Sequence, residues 1–257
     1  MISTDNPCQK HSESVWEHQA GLQRFRSMRR IDRHSDWTTA YHELFASGQA
    51  LTFPCETLVR LFKGSYVPGM PRSYEGMCAL DVGCGSGNNI ILLSSMGMEV
   101  AGTEVSDEVC QLARKALQVR GIVADLRVGT NTALPFLDRS FDFLISWNVL
   151  HYEDNEEKVQ KAIKEYARVL KSGGRFFVST TGPNHKILKD SKALGGHRYE
   201  IGRGDDFRKG AVYFYFDTEN YIRLYFETQF HDVMVGRIHD HLFTETLDWH
   251  LVTGLAR

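Results

Sequence analysis

No apolar run in this chain approaches the ~20 residues that a membrane-crossing helix requires, and the polar opening residues hold no apolar core of a secretory signal. A basic excess is missing too: Lys and Arg total 30 against 32 Asp and Glu, a net charge of −2. Holding a phosphate backbone takes clustered cations, so the composition argues against a nucleic-acid partner. The five cysteines (Cys8, Cys55, Cys78, Cys84 and Cys110) contain no C-x-x-C pair. Cys78 and Cys84 lie in or beside a core strand, where a free thiol packs as a small apolar group. These absences predict a soluble, cytoplasmic protein in a reducing compartment, with no membrane partner. Repeats and low-complexity tracts are also missing. At 257 residues the chain can bury one sizeable core, so one α/β domain with additions is expected. A local basic cluster does exist at Arg24, Arg26, Arg29, Arg30 and Arg33; it is either a solvated helix face or a docking site for an anionic partner.

What is present begins at Leu80-Asp81-Val82-Gly83-Cys84-Gly85-Ser86-Gly87. A short apolar run breaks into three alternating glycines and then into the helical pattern of Asn88 to Met96. A strand that turns on glycines into a helix brings backbone amides and a helix N-terminus against a ligand, closer than side chains allow. The spacing is G-x-G-x-G and not the G-x-G-x-x-G of the pyrophosphate fingerprint, which suits a nucleoside ligand without a diphosphate. The next strand, Met98 to Thr103, ends at Glu104. A carboxylate at that tip can accept two hydrogen bonds from a ribose diol. Ser106 then caps a helix over about 107–119.

Four segments in this order, LDVGCGSG, VAGTEVS, LPFLDRSFDFLISWNVLHY and RVLKSGGRFFVST, resemble the class I S-adenosylmethionine-dependent methyltransferases of the small-molecule type, and cover residues 80–180. The resemblance implies S-adenosyl-L-methionine as cofactor and methyl transfer to oxygen or nitrogen of a small polar metabolite. The alternatives are a protein or nucleic-acid methyltransferase, or a non-catalytic S-adenosylmethionine-binding regulator. By the same resemblance Asp81 approaches the methionine amino group, and Gly83, Cys84 and Gly85 pass against the cofactor. Glu104 holds the ribose, with Val105 against the adenine.

The expected fold is a doubly wound, Rossmann-like α/β sheet of seven mostly parallel strands, with a C-terminal antiparallel hairpin and an N-terminal helical cap. Residues 1–70 form the cap and 71–257 the core, with an acceptor-site insertion at about 182–216. Strands are read at about 78–82, 99–103, 124–128, 141–146 and 175–180, and helices near 88–96, 107–119 and 156–170. Gly173-Gly174 reads as the stop of the last of these helices. Apolar positions at helical spacing predict cap helices at Ser14–Ile31, Trp37–Leu44 and Glu56–Phe62. Residues 182–210 are rich in glycine and in basic groups and read as loop. A helix from about Thr218 to Glu227 follows, and the apolar runs His231–Ile238 and Leu247–Leu255 read as the closing hairpin.

Further candidates fall at strand ends, where ligands of such sheets bind. The family commonly has an aspartate for the adenine amino group where Thr130 stands; Thr130 or Asn131 is the candidate replacement. The fourth strand runs out through Ser146, Trp147 and Asn148 to His151, and the first three are expected against the cofactor. Val149 follows Asn148 where nucleobase N-methyltransferases carry proline. His151 is either a general base, since imidazole titrates near neutrality, or a wall of the binding site. Tyr41 resembles the aromatic by which the cap closes over the ligands. His197 and Arg198, in the insertion, are expected to bind a polar or anionic acceptor. His239-Asp240-His241 has ligand-like spacing on a strand, but without further ligands no metal is expected. Oligomeric state is not read from the sequence.

Overall fold

The computed structural model describes residues 39, 42–43, 45–48, 52–203 and 208–257. The Arg24–Arg33 cluster, the Ser14–Ile31 helix and Tyr41 lie outside the described residues. Helix α1, Glu56–Lys63, leads into the alternating part of the chain. There follow β1 (Cys78–Val82), α2 (Asn88–Ser95), β2 (Glu99–Glu104), α3 (Asp107–Gln118), β3 (Asp125–Val128), β4 (Phe141–Trp147), α4 (Glu156–Val169) and β5 (Leu170–Thr181). Beyond them lie the short strands β6 (Lys192–Gly195), β7 (Arg198–Glu200) and β8 (Val212–Phe214). Helix α5 (Glu219–Phe226) and the hairpin β9 (Phe230–Leu242) and β10 (Glu245–Ala256) complete the chain.

The main sheet has the order β3-β2-β1-β4-β5-β10-β9. The first five strands run parallel, and β10 pairs antiparallel with both β5 and β9. Side-chain alternation along β1 splits the molecule into two cores. Cys78, Leu80 and Val82 face the layer that carries α4 and α5, while Ala79 faces the layer of α1, α2 and α3. Polar side chains start the helices by accepting otherwise unpaired N–H groups. Ser106 accepts from Val109 N, Asn155 from Lys158 N and Thr218 from Tyr221 N. No helix among the described residues is long and apolar enough to cross a membrane.

Three expectations are corrected. Helix α4 stops at Val169, not at Gly173-Gly174, because Leu170 is already extended and begins β5. The glycines instead absorb an irregularity inside that strand, where the β4–β5 register shifts between Phe141 and Phe143 and Gly173 takes φ +76°. The stretch 182–210, read as loop, contributes β6 and β7, which join β8 in a separate three-stranded antiparallel sheet. These strands are short and mostly exposed, so they carry no alternating apolar signal. Cys78 is disulfide-bonded, whereas Cys55, Cys84 and Cys110 are free thiols; a search for close spacing finds local pairs only.

Candidate active site

At the carboxyl end of β1 the backbone takes positive φ at Gly83, Gly85 and Gly87 (67°, 54° and 78°), a region that side-chain-bearing residues rarely enter. Space forbids a side chain at Gly83 as well: a Cβ there would lie 2.6 Å from Val149 Cγ2. The turn is held by Cys84 N–H to Thr103 O (3.0 Å) and Gly87 N–H to Cys84 O (2.8 Å). Glu104 reaches the same turn from β2. Its Oε1 accepts from Gly85 N (2.8 Å) and its Oε2 from Val105 N (3.1 Å). Burial holds the Glu104 carboxyl above the usual glutamate range, with those two N–H groups opposing it in part. Asp81 sits deeper, 1 % exposed. Burial above all, then the neighbouring Glu104, raises its carboxyl to about 8, with the Asn89 amide opposing. Asn89 Oδ1 is turned to Cys55 N (3.3 Å), which leaves its NH2 as the group facing the acid. Cys84 is buried and its thiol is raised by burial and by both acids, so it is a small filler and not a nucleophile.

The exits of β3 and β4 carry the next candidates. Thr130 is exposed, its hydroxyl 3.3 Å from that of Thr132. The Asn131 side chain is committed elsewhere. Its Nδ2 donates to Glu153 Oε1 (3.1 Å) and its Oδ1 accepts from Tyr166 OH (2.6 Å), which also lies 2.9 Å from Ser146 Oγ. Asn131 and Ser146 therefore tie the β3 exit to β4 and α4 through Tyr166. Trp147 packs into the core under α1–α3. Asn148 takes φ +61° and closes a ring with β5: its N–H donates to Ser179 Oγ (2.8 Å), and that hydroxyl donates to Asn148 Oδ1 (2.6 Å).

His151 is 2 % exposed and stands in an aromatic cluster. Its ring centroid is 4.6 Å from that of Tyr152, 5.0 Å from Tyr213 and 5.7 Å from Trp249. Burial, then Arg208 and His185, hold its imidazole well below the usual histidine range, so it is neutral at pH 7. The sequence reading missed two members of this cluster. His185, in the loop after β5, lies 4.2 Å from Trp249, and burial, with Arg208 and Lys186, pushes it down to about 4. Trp249 itself comes from β10. The position of His185 four residues past a strand end was a usable signal; Trp249 is brought there by strand pairing, which local pattern does not encode.

The loop that carries His185 is pinned by Asp248, which is fully buried. Arg237 Nε and Nη2 each donate to it at 2.7 Å, and Asn184 N–H donates to its Oδ2 at 2.7 Å. His239 Nδ1 stands 3.6 Å from the same carboxylate, so that histidine belongs to an ion-pair cluster. Among the described residues no group of three or more metal-ligating side chains is gathered. His197 pairs with Asp217 (3.0 Å) and stacks on Tyr221, and Arg198 is exposed, donating to Gly195 O.

Residues 80–178 match the family described as a methyltransferase domain. Curated relatives include the uncharacterized methyltransferase YcgJ of Bacillus subtilis, 34% identical over 43% of this chain and 44% of its own length. A ubiquinone biosynthesis O-methyltransferase of Chelativorans sp. is 31% identical over 50% of this chain and 47% of its own. The "Probable tRNA methyltransferase 9B" of Mus musculus is 34% identical over 40% of this chain and 21% of its own. The chain thus spans under half the length of each of these relatives. In fold, it is similar to an S-adenosylmethionine-dependent methyltransferase of Methanosarcina mazei, with a TM-score of 0.63, 20% identity, and 79% and 99% of the two chains covered.

Proposed function

We propose that this chain, whose residues 80–178 match the methyltransferase-domain family, transfers a methyl group from S-adenosyl-L-methionine to an oxygen or nitrogen of a small polar metabolite. The observation that carries the reading is the pair of buried acids at the glycine turn. Asp81 is buried without a hydrogen bond of good geometry on either carboxylate oxygen, an arrangement that suits a ligand ammonium. Glu104 presents a carboxylate already oriented by Gly85 and Val105, which suits a ribose diol. The residues therefore fit the cofactor, which when bound supplies an electrophilic methyl group on a sulfonium sulfur.

In this reading the protein contributes binding and alignment. Asp81 holds the amino group, Glu104 the ribose, and the backbone of Gly83, Cys84 and Gly85 lets the ligand approach. Val105 and the main chain at Thr130 and Asn131 border the adenine, and Trp147 and Asn148 the methionine end. His151, neutral and walled by rings, lines the acceptor side. The ubiquinone-biosynthesis relative supports a small acceptor. The tRNA relative keeps a nucleic-acid acceptor as the second reading.

Calorimetric titration with S-adenosylhomocysteine tests the proposal. Micromolar binding is expected, with none for NADH, and Glu104→Ala should weaken it by about 2 kcal/mol, roughly 30-fold. Unchanged affinity in that variant would remove the ribose assignment.

A further inference from the structure

The aromatic cluster around Trp249 contains polar atoms that the proposed cofactor site does not use. Thr181 is directly opposite Trp249 in the β5–β10 pairing, and opposed residues project from one face of a sheet. It is 1 % exposed, and its Oγ1 finds no hydrogen-bond partner among the described residues. The same holds for His185 Nε2 and His151 Nδ1, on rings 5 % and 2 % exposed. Three buried polar atoms from two stretches of chain thus gather about one indole ring, each without a partner among the described residues. Native interiors rarely leave such atoms unpaired unless something binds them.

The chemistry of that ligand can be narrowed. His185 Nδ1 accepts from Ile187 N–H (3.0 Å). In a neutral imidazole the proton is then on Nε2, so the buried nitrogen is a donor. The Thr181 hydroxyl can also donate, and so can His151 Nδ1 in one of its two tautomers. Arg208, whose Nη1 donates to Tyr152 OH (3.4 Å), adds positive potential to both histidines, joined at His185 by Lys186 and only partly offset there by Asp248. A set of donors in a positive field repels an ammonium and suits an anion with two oxygens in one plane. A phosphate brings more oxygens and more charge than three such atoms can satisfy.

We propose that His151, His185 and Thr181, around Trp249, form a subsite for a carboxylate carried by the methyl acceptor. The assignment rests on the methyl-transfer reading and sharpens it from a polar metabolite to a small organic acid.

Benzoate serves as the probe, with phenyl phosphate and benzylamine as contrasts. The protein, labelled with 13C in its histidine rings, is titrated with and without saturating S-adenosylhomocysteine. Benzoate is expected to shift the His151 and His185 ring signals saturably, and to raise the pH at which His185 titrates from its value of about 4. Benzylamine is expected to do neither. Thr181→Val and, separately, His185→Phe should each weaken benzoate at least tenfold while S-adenosylhomocysteine still binds. His185→Gln, which keeps an N–H donor, should recover part of the loss. Benzoate leaving both ring signals unmoved in both conditions would overturn the subsite, as would tighter binding of benzylamine or phenyl phosphate. Failure of S-adenosylhomocysteine to bind would instead overturn the methyl-transfer reading, since the benzoate titration is read without it.

Discussion

Around Glu104 the groups proposed to meet the cofactor come from one continuous stretch, residues 81–105, and most are main chain. Around Trp249 the gathered groups are side chains drawn from four separate segments: His151, the stretch with Thr181 and His185, Tyr213, and Trp249 itself. The first half is a turn whose shape follows from glycine and a strand end. The second exists only once β10 has paired with β5 and Asp248 has drawn in the loop at Asn184. A backbone cradle recognises what every user of one cofactor shares, and a side-chain cluster is free to suit one acceptor.

The largest expected effect tests whether Asn131 belongs to either half. Asn131→Leu leaves Glu153 and Tyr166 each without a hydrogen-bond partner they now have. Urea unfolding should show a loss of about 3 kcal/mol, with S-adenosylhomocysteine affinity unchanged. A selective loss of affinity would return the side chain to the adenine. Next is the Asp248 pin. Its carboxyl is held below the usual aspartate range, against burial, by Arg237 and Asn184 N–H. A lowered folded value means that stability is fully present above the ordinary aspartate pKa and drains as pH falls through the folded one. Asp248→Asn should therefore cost about 2 kcal/mol at pH 7, with Arg237 partly exposed and so partly screened. The difference from the parent should shrink below about pH 4, as read from melting temperatures across pH.

A smaller effect belongs to the cofactor half. Asp81 titrates at about 8 in the free protein, so at pH 7 it is mostly protonated. An ammonium beside it favours the carboxylate, so binding releases a proton. Affinity for S-adenosylhomocysteine should rise with pH up to about 8 and then level, by at most roughly tenfold per pH unit. Calorimetry in buffers of different ionisation enthalpy counts the proton, and Asp81→Asn should abolish the slope. The smallest effect is expected at the surface. Arg198→Ala should alter stability by less than about 1 kcal/mol and leave benzoate binding alone. A strong loss of benzoate binding would restore its expected place at the acceptor.

These two halves were unequally legible. The G-x-G-x-G turn, Glu104 and the Ser106 cap are local signals, and each stands where sequence pattern puts it. Strand alternation gave β1 to β5 within a few residues at most ends, and the closing hairpin emerged from two apolar runs, though it extends from Phe230 to Ala256. Gly173-Gly174 misled because a glycine pair carries the same signature whether it stops a helix or bends a strand. β6 and β7 escaped because exposed strands have no apolar period to detect. The hydrogen bonds of Asn131 and Ser146 to Glu153 and Tyr166 were not legible, because a polar residue at a strand end can tie elements together as readily as it can face a ligand. Trp249 and Thr181 meet only through pairing across 68 residues of chain, from position 181 to position 249.

The central position of β10 bears on how such a molecule could acquire a new acceptor. Hydrogen-bonded along both edges, by β5 and by β9, it is a fixed rail that cannot slide without turning every side chain to the opposite face. Diversification is thereby channelled into exchanges at alternate positions of that rail. Trp249 is open to trial while Asp248, on the reverse face, stays tied to Arg237 and Asn184. The hairpin tip, where Phe243 is 95% exposed, is free to lengthen without disturbing either.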